Sequence, residues 1–468
     1  MNVDAALKKM DRTLGSDAIV TEGDVLERYA HDESEVPWQK PAAVVRARST
    51  AEVAAVVRAA HEHGVPVVPR GGGTGRVGGA VPVPGSVVLV TERMNGIEEL
   101  ARDDLVAVAQ PGVVLADLHR AVEAEGLFYG PDANSLESCV LGGNIATNAG
   151  GPRTLKYGPT RDWVLGLEVV TADGTVMRLG KRTPKGVTGY DLTSLVVGSE
   201  GTLAVVTEAT VKLVPAPESV VTMLVFVPDM PAAGRAVGAA LSAHILPRCV
   251  ELLDPPALEI IKPLAGVPVP PNARAMLLVE LDGPASVLED QLERCGEAML
   301  GAGAVEVLVA KDGTERERLW TARRDLSHAL RRTANHKLSE DVVVPRTRIP
   351  ALLDRCARLA DEHGIRMPTY GHAGDGNLHV NFLWDDPDRR PAVDRAIRGL
   401  FEAVIELGGT LTGEHGLGVL KAPYLPLEQT DAVIALQERI KHTFDPKGTL
   451  NPGKLLPRHT ARYFHGAC

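Results

Sequence analysis

Sulfur is scarce in this chain of 468 residues. Its five cysteines, Cys139, Cys249, Cys295, Cys356 and Cys468, stand singly, with no Cys-x-x-Cys pair. That spacing argues against a disulfide framework and against a thiolate-held iron–sulfur cluster. Long apolar runs are missing too, since none reaches the roughly 18 residues that a membrane span needs. Met1 to Gly15 carries Lys8, Lys9 and Arg12 but no hydrophobic leader core. The chain is therefore expected in the cytoplasm, with peripheral attachment to the inner face of a membrane left open. Cationic excess is absent as well: 50 Lys and Arg stand against 60 Asp and Glu, a formal charge of −10. Phosphate backbones are bound by clustered Lys and Arg, so a nucleic-acid partner is not expected. There is no short repeat and no low-complexity tract.

What the chain does have is length and glycine-rich loops between apolar segments. At this size one ordinary core does not suffice, and two or three domains are expected, with room to bury a large cofactor. From Pro41 a compact unit is legible. Ala43 to Arg46 reads as a strand, Ser49-x-x-Glu52 as a capping box, and Val53, Val56, Val57 and Ala60 recur at helical spacing up to Gly64. The strand Val65 to Val68 then runs into Pro69-Arg70-Gly71-Gly72-Gly73-Thr74-Gly75-Arg76-Val77-Gly78-Gly79.

Gly73 to Gly78 matches the dinucleotide fingerprint G-x-G-x-x-G letter for letter. A nucleotide-binding βαβ unit needs a helix to open at that loop. Here Pro82 and Pro84 follow, and a helix cannot readily run through them. A Rossmann domain is rejected on that ground. Successive N–H groups of small residues still form an anion-binding nest, suited to a diphosphate. A second small-residue segment, Gly130 to Ser135 and Cys139 to Gly151, reads as neither a hydrophobic strand nor an amphipathic helix. Its Asn144, Thr147 and Asn148 suit a polar heteroaromatic ligand and its phosphates. Asp173-Gly174 signals a hairpin between Val164 to Thr171 and Thr175 to Leu179. Leu195 to Val197, Leu203 to Val206 and Thr210 to Val214 read as further strands.

Pro215-Ala216-Pro217 marks a boundary. Beyond it strands at 220–227, 275–281, 305–309 and 342–344 alternate with helices near 231–243, 285–300, 314–332 and 350–363. That alternation predicts a ferredoxin-like antiparallel sheet covered by helices on one face. Two clusters carry chemistry there: Gly371-His372-Ala373-Gly374-Asp375-Gly376-Asn377-Leu378-His379 and Gly413-Glu414-His415-Gly416. Two imidazoles and a carboxylate make a common first shell for a catalytic divalent ion with an open position. His415, beside Glu414, is then a spare base.

These motifs, with Gly198-Ser199-Glu200-Gly201-Thr202-Leu203 and the tail Phe444 to Lys454, resemble the FAD-linked 2-hydroxyacid dehydrogenases of the vanillyl-alcohol oxidase superfamily. That family includes the glycolate oxidase D subunit, D-lactate dehydrogenase and D-2-hydroxyglutarate dehydrogenase. The likeness runs from about residue 38 to 457. It implies an α+β protein with a two-subdomain FAD-binding domain and a ferredoxin-like antiparallel-sheet cap. The implied bounds are 1–37 for an N-terminal helical segment, 38–217 for the FAD domain, 218–430 for the cap with the metal site, and 431–468 for a segment returning to the FAD domain.

By the same resemblance Arg70, Gly71, Gly72, Gly73, Thr74 and Gly75 hold the pyrophosphate, with Gly78, Gly79 and Gly201 beside them. Pro131, Asp132, Ser135, Gly142, Gly143, Asn144, Thr147 and Gly150 line the flavin, and Asn451 approaches it from the C-terminus. The first loop has no histidine for a covalent link, so dissociable FAD is expected. Relatives carry Leu-Ser where this chain has Arg76-Val77, so a hydroxyl donor is replaced by a cation.

The implied reaction oxidises an R-configured 2-hydroxy acid to the 2-oxo acid with hydride transfer to flavin N5. His372, His379 and Glu414 chelate a divalent ion, zinc first with manganese or iron as alternatives. His415 is the base, and Arg323 is the partner of the substrate carboxylate, with Lys337 a weaker choice. Which acid is oxidised stays open, as does the acceptor: quinone, cytochrome, electron-transfer flavoprotein, oxygen or a partner subunit. A homodimer is compatible with all of this. The rival readings are a flavin-binding subunit without chemistry and a metal-independent flavin transferase like the alkyl-dihydroxyacetone-phosphate synthases.

Overall fold

The computed structural model describes residues 1–265 and 268–464; Cys468 lies outside them. The chain divides into two compact units, one of Met1–Gly150, Gly158–Ala216 and Glu414–Cys468, the other of Gly151–Tyr157 and Pro217–Gly413. No helix among the described residues is long and apolar enough to cross a membrane.

In the first unit β1 (Ile19–Val20), β2 (Ala43–Arg46), β3 (Val67–Arg70) and β4 (Val87–Val90) form a sheet in the order β1-β2-β4-β3. β4 runs parallel to both β2 and β3. The helix Thr50–His63 connects β2 to β3, and Ser49 caps it by accepting the N–H of Glu52. Its Val53, Val56, Val57 and Ala60 are buried, as their spacing predicts, and the helix Val3–Leu14 sends Ala6, Met10 and Leu14 into the same core. No helix opens after β3, in agreement with the two prolines.

Further along come β5 (Ile97–Ala101), β6 (Val106–Ala109), β7 (Leu127–Phe128), β8 (Val164–Val170), β9 (Val176–Gly180), β10 (Val205–Lys212) and β11 (Val214–Pro215). Five of them make an antiparallel sheet in the order β5-β6-β10-β8-β9, while β7 and β11 pair with each other. The β8–β9 hairpin turns at Gly174, whose φ is +82°. Two local expectations fail. Leu195 to Val197 is not a strand: Leu192–Val196 is a short helix because Asp191 accepts the N–H of Ser194 and caps it. Leu141–Thr147, expected to be irregular, is also helical. Its Gly142 is there for close approach, since a Cβ would lie 2.5 Å from Pro111 Cβ.

The second unit is built on one sheet of β12 (Ser219–Val227), β13 (Cys249–Leu253), β14 (Ala275–Gly283), β15 (Glu306–Val309), β16 (His336–Val343), β17 (Thr369–His372) and β18 (Asn377–Trp384). Their order is β15-β12-β14-β13-β17-β18-β16, with every neighbouring pair antiparallel. Counted along the chain, the first four strands lie 4-1-3-2, the split arrangement of a ferredoxin-like unit. Helices cover both faces rather than one. Leu224, Phe226, Met276 and Leu278 pack with the helices at 255–265 and Gly313–Arg331. The residues between them on β12 and β14 are buried too, and the helices Met230–Ser242 and Ala285–Gly301 pack against those strands. A sheet wet on one face would show alternation there, and this one does not.

Candidate active site

Strand register assembles the site of the second unit. In β13 and β17 Glu251 stands opposite His372. Tyr370, two residues before His372, stands opposite His379 of β18, and His379 stands opposite Asp341 of β16. Opposed residues share a face, and so do residues two apart on a strand. Glu251, His372, Tyr370, His379 and Asp341 therefore project from one side of the sheet. The tight turn from β17 to β18 requires glycine at 376, where φ is +94° and a Cβ would meet the Val344 carbonyl at 2.0 Å. The two imidazoles lie edge to face with ring centroids 5.3 Å apart.

Behind them sits a buried carboxylate. Glu251 Oε1 is 2.6 Å from His372 Nδ1, and Oε2 is 2.5 Å from an Arg323 guanidinium nitrogen. Burial alone would raise the Glu251 pKa, but the charges and hydrogen bonds of His372 and Arg323 outweigh it and bring it to about 2. Arg323 comes from the helix Gly313–Arg331, and its guanidinium carbon lies 4.6 Å from the centre of the Tyr370 ring. Its Nε has no hydrogen-bond partner among the described residues. Lys337 donates to Ser327 Oγ at 2.7 Å.

Asp341 does a second job on the same face. It accepts from Asn377 Nδ2 at 2.5 Å, Thr412 Oγ1 at 2.8 Å and the Gly413 N–H at 2.9 Å. Gly413 is thus pinned, and Glu414 follows it by one peptide bond. His372, His379 and Glu414 offer ligand atoms that all lie within 4.8 Å of one another. Two imidazole nitrogens and a carboxylate oxygen, with one imidazole anchored through its other nitrogen, fit a divalent ion. His415 Nε2 lies 3.8 Å from Glu414 Oε1.

In the first unit the expected cofactor segments meet. A Cβ on Gly72 would lie 2.4 Å from the Ser138 carbonyl, and one on Gly71 would lie 2.6 Å from Val140. Gly201 abuts Pro69, and Asn451 Nδ2 donates to the carbonyls of Gly79 and Glu200 at 3.0 and 2.6 Å. The tail joins them through the Asn451 N–H, which donates to Val67 O. The main-chain N–H groups from Gly71 through Gly79 have no hydrogen-bond partner among the described residues. A run of unsatisfied donors is the chemistry a diphosphate requires, so this loop fits the pyrophosphate of a dinucleotide.

The other expected residues make contacts within the protein. Arg70 turns back under its own loop, donating to the His31 carbonyl at 2.6 Å, and burial lowers its pKa. Arg76 pairs with Glu33 near the surface. Thr147 Oγ1 donates to Gly143 O at 3.2 Å, and the Pro131 carbonyl is 2.9 Å from His119 Nε2. Asp132 and Asn144 are buried, and Ser135 accepts from the N–H groups of Ser138 and Cys139. Among the described residues no hydrogen bond singles out Thr74 or Gly150. Sequence reasoning missed Glu251, Asp341 and the role of Glu200. A lone acidic residue inside the apolar run Cys249–Leu253 was the available signal for Glu251.

Residues 41–180 match a family described as FAD binding domain, and residues 216–455 match one described as FAD linked oxidases, C-terminal domain. The chain is 43% identical to the glycolate oxidase subunit GlcD of Bacillus subtilis (strain 168), covering 92% of each chain. It is 36% identical to a D-lactate dehydrogenase of Anaerostipes hadrus, covering 92% of this chain and 93% of that one. Among solved structures p-cresol methylhydroxylase with substrate bound superposes with a TM-score of 0.79 at 18% identity, covering 97% of this chain and 96% of that chain. At that identity the likeness establishes the fold alone.

Proposed function

The chain belongs to the FAD-linked oxidase family, and on that premise we propose that it oxidises a D-2-hydroxy acid of the glycolate, D-lactate or D-2-hydroxyglutarate type to the 2-oxo acid. The observation that carries this reading is the His372, His379 and Glu414 group. A subunit that only held flavin would need no such ligand set. FAD would be held non-covalently at Gly71 to Gly79 and the segments packed on it, and it supplies a two-electron acceptor when bound. A divalent ion held by His372, His379 and Glu414, with zinc our first assignment and manganese or iron the alternatives, supplies Lewis-acid polarisation of the substrate hydroxyl.

The chain's own residues supply the rest. His415 takes the hydroxyl proton on an imidazole nitrogen, a role that imidazole suits as a general base. Arg323 offers its unpaired Nε to the substrate carboxylate, while one of its terminal nitrogens stays with Glu251. Electrons leave to a separate acceptor, because the chain has no cysteine motif for a cluster of its own. The relative named as a glycolate oxidase subunit supports a partner subunit as that acceptor.

The test is anaerobic mixing of the purified yellow protein with a panel of glycolate, D-lactate, L-lactate and D-2-hydroxyglutarate. Bleaching near 450 nm by a D-2-hydroxy acid or by glycolate is expected. A flavoprotein that none of them bleaches overturns the reading.

A further inference from the structure

Glu251 has no part in the chemistry just described, yet its charged side chain is fully enclosed beside that site. It is 0% exposed, sits mid-strand among Cys249, Val250, Leu252 and Leu253, and touches two of the residues assigned to the reaction. A carboxylate placed there at random would be costly, because a buried charge has to be paired on each of its oxygens. Both are paired: Oε1 with His372 Nδ1 at 2.6 Å and Oε2 with Arg323 at 2.5 Å.

We propose that Glu251 is a positioning residue that fixes which nitrogen His372 presents to a metal ion and holds Arg323 beside it. This rests on the metal reading above. A carboxylate paired with a guanidinium can only accept, so at 2.6 Å the hydrogen of a neutral His372 ring must be on Nδ1. Nε2 then keeps its lone pair, which is the donor a divalent ion takes. In the other tautomer two lone pairs would face each other at Nδ1, and the Nε2–H would occupy the coordination position.

Register and packing make the arrangement rigid. Glu251 and His372 are directly opposed on neighbouring strands, so the carboxylate has little freedom to swing away. Arg323 lies over the Tyr370 ring on the same face and claims the second oxygen, which leaves Oε1 for the imidazole. One buried acid thus couples the ligand nitrogen of His372 to the place of the cation proposed to meet the substrate.

The decisive variant is Glu251→Gln. Its single carbonyl oxygen is claimed by Arg323, so its NH2 faces His372 Nδ1 and favours the wrong tautomer. The flavin-loaded protein, stripped of metal, is titrated with Zn²⁺ against a chromophoric chelator. Affinity for Zn²⁺ should fall by about 10- to 100-fold, with flavin absorbance unchanged. Binding as tight as in the wild type overturns the proposal.

A second measurement does not depend on metal or on the variant folding. The tautomer of His372 is read in metal-free wild type by histidine-labelled ¹⁵N NMR, with His372→Asn to assign the signal. The Nδ1–H form is expected, and an Nε2–H form overturns the proposal. Should wild type show the Nδ1–H form yet bind no Zn²⁺, Mn²⁺ or Fe²⁺, the metal reading fails and the orientation of His372 by Glu251 stands.

Discussion

Glu200 accepts the main-chain N–H of Leu417 at 2.8 Å, and its other oxygen accepts that of Gly418 at 2.9 Å. The backbone just past His415 is therefore held by a buried acid from a distant part of the same unit. Glu200 itself has φ of +52°, and Asn451 donates to its carbonyl. Glu200→Ala should leave two enclosed N–H groups without acceptors, at roughly 1–3 kcal/mol each. We expect a clear drop in Tm and, in the protein that remains folded, slower turnover at full flavin occupancy. Equal Tm and equal kcat would show that the clamp is dispensable.

The first loop makes a sharper steric prediction. A Cβ at residue 72 would be 2.4 Å from the Ser138 carbonyl oxygen, a main-chain atom that cannot rotate away. Gly72→Ala must push the two segments apart, at ~1–3 kcal/mol for an overpacked contact. Since the unpaired N–H groups of this loop are the expected diphosphate contacts, FAD affinity should fall by about 10-fold or more. The ratio of flavin to protein absorbance after dialysis measures it, and full retention of FAD would move the phosphate site elsewhere.

A pH dependence of stability follows from Asp254, which accepts the N–H groups of Ala257 and Thr369 at 2.9 and 2.8 Å. Burial raises its pKa from 3.8 to about 7 against the lowering effect of those two bonds. The folded protein therefore holds this proton more tightly than the unfolded chain. Its contribution to stability is complete below about pH 3.8 and is lost as the pH rises through 7. Asp254→Asn cannot titrate. Denaturant unfolding from pH 4 to 8 should show wild type losing stability relative to the variant, on the order of 4 kcal/mol over that range. Parallel curves would show that Asp254 is ionised in the fold throughout.

Periodicity makes the regular parts of the fold legible in the sequence. Val53, Val56, Val57 and Ala60 face a core, the Asp173-Gly174 turn joins two paired strands, and Pro82 with Pro84 bars a helix after the glycine loop. Where the signal failed, tertiary contact had overridden local preference. Gly142 and Gly143 read as loop residues, yet both are helical, with Gly142 packed on Pro111. Strand β13 was missed because an acid interrupts a short apolar run, and that acid, Glu251, proves to be bonded to two of the expected site residues. The ligands His372 and His379 stand out in a sequence because glycines frame them. Glu251 and Asp341 do not, because strand register, which no local spacing encodes, is what brings them to the same face.

The general-base assignment rests on His415, whose Nε2 lies 3.8 Å from Glu414 Oε1. His415→Asn keeps shape and polarity but cannot take a proton near neutral pH. A loss of about 10²- to 10⁴-fold in kcat is expected for a missing general base, with flavin and metal content unchanged by absorbance and elemental analysis. Near-normal turnover would end this assignment.

Removal of the metal separates the hydroxy-acid reading from a metal-independent flavin reaction. His372, His379 and Glu414 bind as a set, so Glu414→Gln or dialysis against EDTA should take the ion away without touching the loop that fits the diphosphate. The yellow colour should stay while turnover with a D-2-hydroxy acid falls by ~10²-fold or more, the scale of Lewis-acid stabilisation worth several kcal/mol. Zn²⁺, Mn²⁺ or Fe²⁺ added back to the dialysed wild type should restore activity, and the most effective ion identifies the resident one. In Glu414→Gln no ion should restore it fully, because the carboxylate oxygen that completes the ligand set is gone. Undiminished turnover after complete chelation would leave the histidine pair without a metal and make the oxidation of the hydroxy acid metal-independent.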